Sequence, residues 1–375
     1  RTRSPDPVGR GRGSRTVLFD QHGGSLAPTP SWGAQGACDV TRAYVKTFVE
    51  VFIGLALVIV PFAAASDLWW SGVITFAIFA VFVGLTGAAT GSPKVGVGFS
   101  LIFVVLGTAA VAVSGSPVLA GILVAAAGFG IALCAAYGLA GTMLIAAMFV
   151  PYLIHHPPSP IGGGERGASY FLAVAGVLLV AGLWGCLLGW FVTRHKAPTV
   201  AVRARMRDAV LAGSLVGAVA GVITFVAVSR LASTQWVWLL LTLFVLTKPA
   251  PDLNWPKTKS RVFGTLVGVI SASLISLLAL PHAFYTTLGI LALTFAMTLK
   301  LLKKPYWIYA SFMTPAVIFF DSTSGDTPEL ALQRMIFTVV GAVVAIGLAA
   351  AINQFVLTKT DGDRPVGGVP ASWQS

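Results

Sequence analysis

The segment DAVLAGSLVGAVAGVITFVAVS, residues 208–229, decides the fold of this protein. Its one ionisable side chain is Asp208 at the start, and its apolar residues do not alternate as those of a barrel strand do. An α-helix of these 22 residues would be about 33 Å long, which matches the roughly 30 Å hydrocarbon core of a bilayer. Because backbone groups in lipid must bond to one another, the segment predicts a membrane-spanning helix.

Similar apolar runs fill most of the chain. Of the 375 residues 56% are apolar and 10% are charged, whereas about 25% of the residues of a soluble domain are charged. The mean hydropathy is +0.85. We therefore expect an all-α polytopic membrane protein with about twelve transmembrane helices and no large soluble domain. The runs lie at about 44–65, 68–88, 95–113, 117–136, 138–154, 168–192, 208–229, 235–250, 262–280, 283–299, 306–320 and 330–357.

Most basic residues lie in the tails and in the loops on one side of the predicted membrane. Of the 25 Lys and Arg residues, 22 lie in the tails or in the loops of one side, and the exceptions are Arg166, Arg230 and Arg334. Arg334 is expected in the first turn of the last run. Because cytoplasmic loops retain Lys and Arg, both termini are predicted to lie in the cytoplasm and the protein in the plasma membrane. The net charge of +12 comes from basic residues in these loops, which would lie beside anionic lipid. The charge therefore does not indicate a nucleic acid as a partner.

The two halves of the chain resemble each other when one is shifted by about 165 positions. Two parallel repeats of six helices, related by an axis near the membrane normal, are therefore predicted. The matched pairs that carry this prediction are Trp69 with Trp236, Thr75 with Thr242, Lys94 with Arg261, and Pro151 with Pro315.

The polar ends of the chain hold too few apolar residues to offset the cost of ordering them, so they are predicted to be disordered. A short basic linker joins the two halves. The predicted boundaries are 1–40 for a basic cytoplasmic tail, 41–192 for the first repeat, 193–207 for the linker, 208–358 for the second repeat and 359–375 for a second tail.

Hydrolytic and metal motifs are absent from the sequence: it contains no G-x-S-x-G, no H-E-x-x-H and no Walker loop. We expect neither an enzyme nor a cofactor. His155 and His156 are adjacent and could ligate a metal or take up protons. Two interfacial imidazoles in a loop are the favoured interpretation, because no Cys or carboxylate lies nearby at ligand spacing.

Membrane proteins of two parallel halves place their substrate near the bilayer midplane, between the halves. Hydroxyl and aromatic side chains there could hold a flat, partly apolar ligand. For each hydroxyl alone helix packing is the favoured role, and for aromatic residues at the ends of runs interfacial anchoring is the favoured role. Matching prolines could mark broken helices that face a cavity, with simple kinks as the alternative. Runs 2, 5, 8 and 11 are predicted to line the path. The predicted path residues are Thr75, Pro151, Trp236, Thr242, Tyr306, Tyr309, Ser311, Thr314 and Pro315.

A Pro-rich basic loop precedes run 9. Its cations Lys257, Lys259 and Arg261 could attract an organic anion at the cytoplasmic mouth of the path. Binding of lipid phosphates is the favoured interpretation, and both roles can hold together.

Few carboxylates lie near the apolar runs. Glu50, Asp67 and Asp321 are the candidates for proton coupling. For Glu50, snorkelling toward the interface or pairing with Lys46, four residues earlier, is favoured at least as much.

Glycines recur every fourth residue at Gly213, Gly217 and Gly221, and again at Gly264 and Gly268. This spacing lets two helix backbones approach closely. Packing within the chain is the favoured interpretation, and dimerisation into a homo-oligomer is the alternative.

Four stretches resemble the fusaric acid resistance (FUSC) family, which includes aromatic acid exporters: WVWLLLTLFVL at 236–246, RVFGTLVG at 261–268, YWIYASFMTP at 306–315 and LQRMIFTVVGAVV at 332–344. The resemblance implies a transporter in the cytoplasmic membrane that exports aromatic carboxylic acids, driven by the proton gradient. This chain differs from the larger exporters because the short linker 193–207 replaces a soluble domain between the halves.

Two other functions stay open at this stage. The architecture also resembles the plant aluminium-activated malate transporters, which are anion channels, and the scarcity of buried carboxylates fits passive anion flow. A scaffold that binds lipid or partner proteins through its basic loops is the third hypothesis.

Overall fold

The computed structural model describes residues 34–68, 70, 73–90, 92–160, 164–194, 203–231, 234–247, 255–278, 281–321, 327–352 and 354. These residues form twelve α-helices and no β-strand, which confirms the predicted all-α fold. The helices are α1 Ala34–Leu68, α2 Val73–Thr90, α3 Pro93–Ala112, α4 Pro117–Ala136, α5 Ala140–His155, α6 Ala168–Thr193, α7 Met206–Arg230, α8 Val237–Leu246, α9 Trp255–Ser276, α10 His282–Leu301, α11 Tyr306–Asp321 and α12 Thr327–Ile352.

Residues 1–43 form one compact unit and residues 44–375 form a second. Of the first unit the structure describes the beginning of α1. This helix begins at Ala34, inside the segment 1–40 predicted as a tail. Residues 1–33 and 355–375, which include the rest of the predicted tails, lie outside the described residues. The packing below is that of the second unit.

Among the described residues, seven helices are long and apolar enough to cross a membrane. They carry exposed large apolar side chains, such as Val105, Leu172 and Val222, as a surface in contact with lipid requires. A chain with this many apolar helices is a multi-pass membrane protein. The seven are α1, α3, α4, α6, α7, α10 and α12.

Four shorter apolar helices, α2, α5, α8 and α11, correspond to the four runs predicted to line the path. The shortest, α8, has ten residues and is about 15 Å long, half the thickness of the hydrocarbon core. Its side chains are mostly buried, among them Trp238, Leu240 and Phe244. A helix enclosed by protein need not match the bilayer, because its ends do not face lipid.

The short helices lie among the longer ones. α2 packs against α3 and α6, α5 against α3 and α4, α8 against α12, and α11 against α9 and α10. The remaining helix, α9, carries three basic residues in its first two turns. A large apolar core joins α1 to α8 with α12, and a smaller one joins α9, α10, α11 and α12 around Val269, Tyr285 and Phe319.

Glycine brings the backbones of neighbouring helices together. In the α4–α7 pair, a Cβ added to Gly217 would lie 2.6 Å from the carbonyl oxygen of Ala125, and one added to Gly221 would lie 2.8 Å from that of Gly121. In the α9–α11 pair, a Cβ on Gly268 would lie 2.8 Å from the carbonyl oxygen of Ser311. The glycine spacing in α7 and α9 therefore serves packing within the chain.

Gly217→Ala tests this packing. The new methyl group would meet backbone, which cannot turn aside, so α4 and α7 must separate. We expect a loss of about 1–3 kcal/mol in the free energy of unfolding, measured as a lower thermal unfolding midpoint of the purified protein in detergent. Gly176→Ala in α6 is the matched control, because nothing lies within 4 Å of its added Cβ. Equal midpoints for the two variants would contradict this account.

Candidate functional site

The short helices hold most of the side chains predicted to line a path. Trp236 lies directly before α8 and is buried, and Thr242 is buried within that helix. Pro151 is a buried residue inside α5, and Pro315 is a buried residue inside α11. The side chain of Thr75 lies outside the described residues.

Arg261 lies in the second turn of α9 and contacts α11. One of its terminal nitrogens, Nη1, donates a hydrogen bond of 2.9 Å to the hydroxyl of Tyr306 at the start of α11. Its Nε is buried and has no hydrogen-bond partner among the described residues. The ring of Tyr306 lies 5.7 Å from that of Tyr309, one turn further along α11. The structure thus brings together a predicted mouth cation and two predicted path aromatics.

A second cation approaches the same rings from α10. The ammonium of Lys300 lies 5.6 Å from the ring centroid of Tyr309, within the range of a cation–π interaction. Arg261, Lys300, Tyr306 and Tyr309 are called the basic aromatic cluster below. Three helices contribute to it, and all four residues lie at the ends predicted to face the cytoplasm. Lys259 is exposed beside it, and the side chain of Lys257 lies outside the described residues.

The predicted hydroxyl residues of α11 lie against α9. Ser311 Oγ donates to the carbonyl oxygen of Ile308 at 2.7 Å. The Cβ of Thr314 would lie 2.6 Å from a Cβ on Gly268, and Cδ of Pro315 would lie 2.9 Å from it. These residues contribute to the interface between α9 and α11. This is the helix-packing role that was considered for each hydroxyl in the sequence analysis.

Two buried donors, one directly before α8 and one within it, have no hydrogen-bond partner among the described residues. They are the indole Nε1 of Trp236 and Oγ1 of Thr242, in side chains that are 1% and 0% exposed. An unsatisfied buried donor costs about 1–3 kcal/mol, so these two groups are candidates for a hydrogen bond to a ligand. The ring of His155 lies 5.5 Å from that of Trp236.

Of the three residues proposed for proton coupling, the structure describes the side chain of Glu50. Glu50 is exposed on α1, with one carboxylate oxygen 4.0 Å from the ammonium of Lys46. The side chains of Asp67 and Asp321 lie outside the described residues. Within the described part of the chain, no group of three His, Cys, Asp or Glu side chains could hold a metal ion.

Arg334 is the residue that sequence reasoning misplaced. α12 begins at Thr327 rather than near 330, so Arg334 lies about two turns inside the helix instead of in its first turn. It is 6% exposed, and its guanidinium carbon lies 3.5 Å from the ring centroid of Trp238 in α8. An arginine within an apolar run is the signal that could have found it, since intramembrane cations are costly and functional by default.

A match to a known protein family falls in the second half of the chain. Residues 219–348 match the model of the family described as fusaric acid resistance protein-like. The match confirms the resemblance predicted from the sequence, and it includes α8 to α11 and most of α12, with the basic aromatic cluster and Arg334. A stretch of 114 residues, 30% of the chain, is 32% identical to an uncharacterized protein of Synechocystis sp. and spans 15% of the length of that relative. No solved structure matches the chain.

Tyr306→Phe tests the contact between α9 and α11. The variant removes the hydroxyl that accepts from Arg261, and we expect the free energy of unfolding to fall by about 1 kcal/mol. The thermal unfolding midpoint in detergent measures this loss. Tyr137→Phe at the end of α4 is the control, because that side chain is 60% exposed. A midpoint for Tyr306→Phe no lower than that of the control would show that the hydrogen bond does not stabilise the protein.

Proposed function

We propose that this multi-pass membrane protein, which matches the fusaric acid resistance protein-like family over residues 219–348, is a secondary transporter that exports aromatic or other organic anions across the cytoplasmic membrane. The observation that carries the proposal is the guanidinium of Arg261. It is held by Tyr306 among aromatic rings, and its Nε is buried without a hydrogen-bond partner among the described residues.

The basic aromatic cluster has the chemistry to capture such an anion. Arg261 and Lys300 supply positive charge at the predicted cytoplasmic ends of α9 and α10, and exposed Lys259 adds to the field that draws anions from solution. Tyr306 orients the guanidinium through the 2.9 Å hydrogen bond, so the remaining N–H groups are aligned for a carboxylate. The Tyr306 and Tyr309 rings offer apolar surface for the body of the ligand.

The path beyond the cluster follows the short helices. In transporters built from repeats, short apolar segments at corresponding positions of the two halves are the best indication of the binding site. Here the four shorter apolar helices are α2 and α5 in the first half and α8 and α11 in the second. The buried donors of Trp236 and Thr242 would bind the anion, or waters that accompany it, as it crosses.

The two six-helix repeats are part of this proposal. Four pairs of neighbouring helices in the first half have counterparts in the second half. They are α2–α6 with α8–α12, α3–α6 with α9–α12, α4–α5 with α10–α11, and α3–α5 with α9–α11. This recurrence supports a parallel repeat, which places the substrate between the halves.

The export proposal includes coupling to protons, with Glu50, Asp67 and Asp321 as the proposed carriers. A passive anion channel is the second candidate function. The buried polar side chains of the described residues are hydroxyls and one guanidinium, that of Arg334. Such groups stabilise an anion without exchanging protons at neutral pH, which favours passive flow. A scaffold that binds anionic lipid through the basic loops would move no anion.

Uptake of labelled benzoate into vesicles that contain the purified protein tests the function. An imposed proton gradient should drive accumulation above equilibrium, and collapse of the gradient should abolish it. Equal flux with and without the gradient would identify a channel instead. No flux of benzoate or of other organic anions in either condition would contradict transport and leave the scaffold.

Arg261→Gln tests the capture site in the same assay. Loss of the guanidinium should raise the KM for benzoate about tenfold, as expected when a charge-assisted hydrogen bond of about 1.5 kcal/mol is removed. Arg207→Gln is the matched control, because Arg207 is exposed on the predicted cytoplasmic side. The same KM for both variants would remove Arg261 from the mechanism.

Cysteine labelling in intact cells tests the predicted orientation. In a chain with Cys38, Cys134 and Cys186 replaced by serine, Glu165→Cys should react with a membrane-impermeant maleimide, because the loop before α6 is predicted to face outward. Lys303→Cys, between α10 and α11, should react only after permeabilisation. Both positions are exposed, so the reverse pattern would invert the assignment of the termini to the cytoplasm.

A further inference from the structure

We propose that an anionic phospholipid binds where α1 meets α10, at the end of both helices that is predicted to face the cytoplasm. Lys303 and Lys304 bind the phosphate of its headgroup, and its acyl chains lie on exposed phenylalanine rings below them. The line along which α1 faces α10 is called the α1–α10 seam. The site lies outside the basic aromatic cluster, and the inference does not depend on the proposed transport of anions.

The α1–α10 seam is open where the equivalent helix pair is closed. In the proposed repeat, α1 and α10 are the counterparts of α7 and α4, and the shift that aligns Trp69 with Trp236 also aligns Gly54 with Gly221. A Cβ added to Gly221 would lie 2.8 Å from the carbonyl oxygen of Gly121 in α4, whereas nothing lies within 4 Å of a Cβ added to Gly54. The backbone contact that closes the α4–α7 pair is therefore missing at Gly54.

Side chains join α1 to α10 near the predicted cytoplasmic end. The ring of Phe48 in α1 lies 5.0 Å from that of Phe295 in α10. One turn earlier on α1, the ring of Tyr44 lies 5.3 Å from the ammonium of Lys304, which follows α10. The seam therefore carries a cation at the membrane surface and aromatic rings below it, and this is the order of charge and apolar surface in a phospholipid.

The turn after α10 places two lysines side by side. The N–H of Lys303 donates to the carbonyl oxygen of Lys300 at 3.1 Å, and that of Lys304 donates to the carbonyl oxygen of Leu299 at 3.0 Å. Both lysines are exposed, and Tyr44 restrains Lys304 through a cation–π contact. Among the described residues no carboxylate forms an ion pair with either lysine. Basic groups in this position between helices bind the headgroups of anionic lipids.

Lys303 has a backbone conformation that favours glycine. Its φ is 53°, and no other described residue except glycine has a positive φ. A side chain is strained in this left-handed region, whereas glycine adopts it freely and commonly ends helices there. The geometry of the turn therefore does not account for a lysine at this position, whereas a headgroup bound by its ammonium does.

Exposed aromatic rings continue the site into the membrane. The rings of Phe295 and Phe312 are stacked, with centroids 5.7 Å apart, and the two side chains are 46% and 37% exposed. Phe295 lies six residues before the end of α10, and Phe312 lies six residues after the start of α11. Both are about 9 Å from the helix ends, which is below a headgroup layer of about 5–8 Å. They therefore lie at the depth of acyl chains.

Native mass spectrometry of the purified protein, titrated with dioleoyl phosphatidylglycerol in detergent, tests the site. It counts the bound lipids and gives a Kd for each. Lys303→Gln and Lys304→Gln should each raise the Kd of one bound lipid about fivefold, the loss expected for one lysine near the surface. The double variant should raise that Kd about 25-fold, so that it retains one lipid fewer than the wild type at equal lipid concentration.

Lys94→Gln is the matched control, because Lys94 is an exposed lysine at the start of α3 on the same predicted side. It should keep the lipid number and the Kd values of the wild type. Equal lipid numbers and Kd values in the control and in the double variant would overturn the site.

Lys303→Gly separates lipid binding from folding. Glycine relieves the left-handed backbone, so the thermal unfolding midpoint in lipid-free detergent should be at least that of the wild type. The Kd for phosphatidylglycerol should still rise about fivefold, because the ammonium is lost. A wild-type Kd in this variant would remove Lys303 from the site.

Two further ligands distinguish a lipid from a free phosphate. Glycerol 3-phosphate carries the phosphate without acyl chains and should bind at least about tenfold more weakly than phosphatidylglycerol. Phosphatidylcholine carries the chains without net charge and should bind equally to the wild type and to the double variant. Phe312→Ala should weaken binding of phosphatidylglycerol and leave that of glycerol 3-phosphate unchanged. Equal affinities for phosphatidylglycerol and glycerol 3-phosphate would overturn the assignment of a lipid.

Discussion

Helices in lipid gain little by contact with one another unless their backbones approach closely, because lipid tails are as apolar as the side chains they would replace. In this protein glycine provides that approach. A methyl group on Gly217 of α7 would meet the carbonyl oxygen of Ala125 in α4, and Gly268 brings α9 against α11 in the same way. Arg261 lies about two turns before Gly268 on α9, so the packing that joins these helices also carries its guanidinium to Tyr306.

The second consequence of the lipid environment is the difference between long and short helices. Helices that face lipid must span it and present apolar side chains, whereas helices enclosed by protein are released from both requirements. α8 is the clearest case, with ten residues and mostly buried side chains. Such a helix can end within the membrane and carry polar groups, and Trp236 and Thr242 hold donors without hydrogen-bond partners among the described residues. The proposed path follows these enclosed helices.

Individual residues show how far sequence reasoning reached. The apolar runs predicted an all-α protein and the places of its helices, because hydropathy alone determines which segments can enter lipid. Arg261 and Tyr306 were each singled out for their chemistry, yet their hydrogen bond joins residues 45 positions apart. Arg334 was assigned to the end of a run because the boundary of α12 was drawn three residues late, and a helix boundary depends on backbone hydrogen bonds that composition does not reveal.

The sequence by itself determined that this chain enters a membrane as helices, which segments do so and which ends carry positive charge, since each of these properties is local or additive along the chain. Only the tertiary structure decided which polar side chains meet. Arg334 reaches Trp238 across a separation of 96 residues because α12 packs on α8, and helix partners are chosen by surface shape over many residues at once. The site is therefore a property of the packing, and no single run contains it.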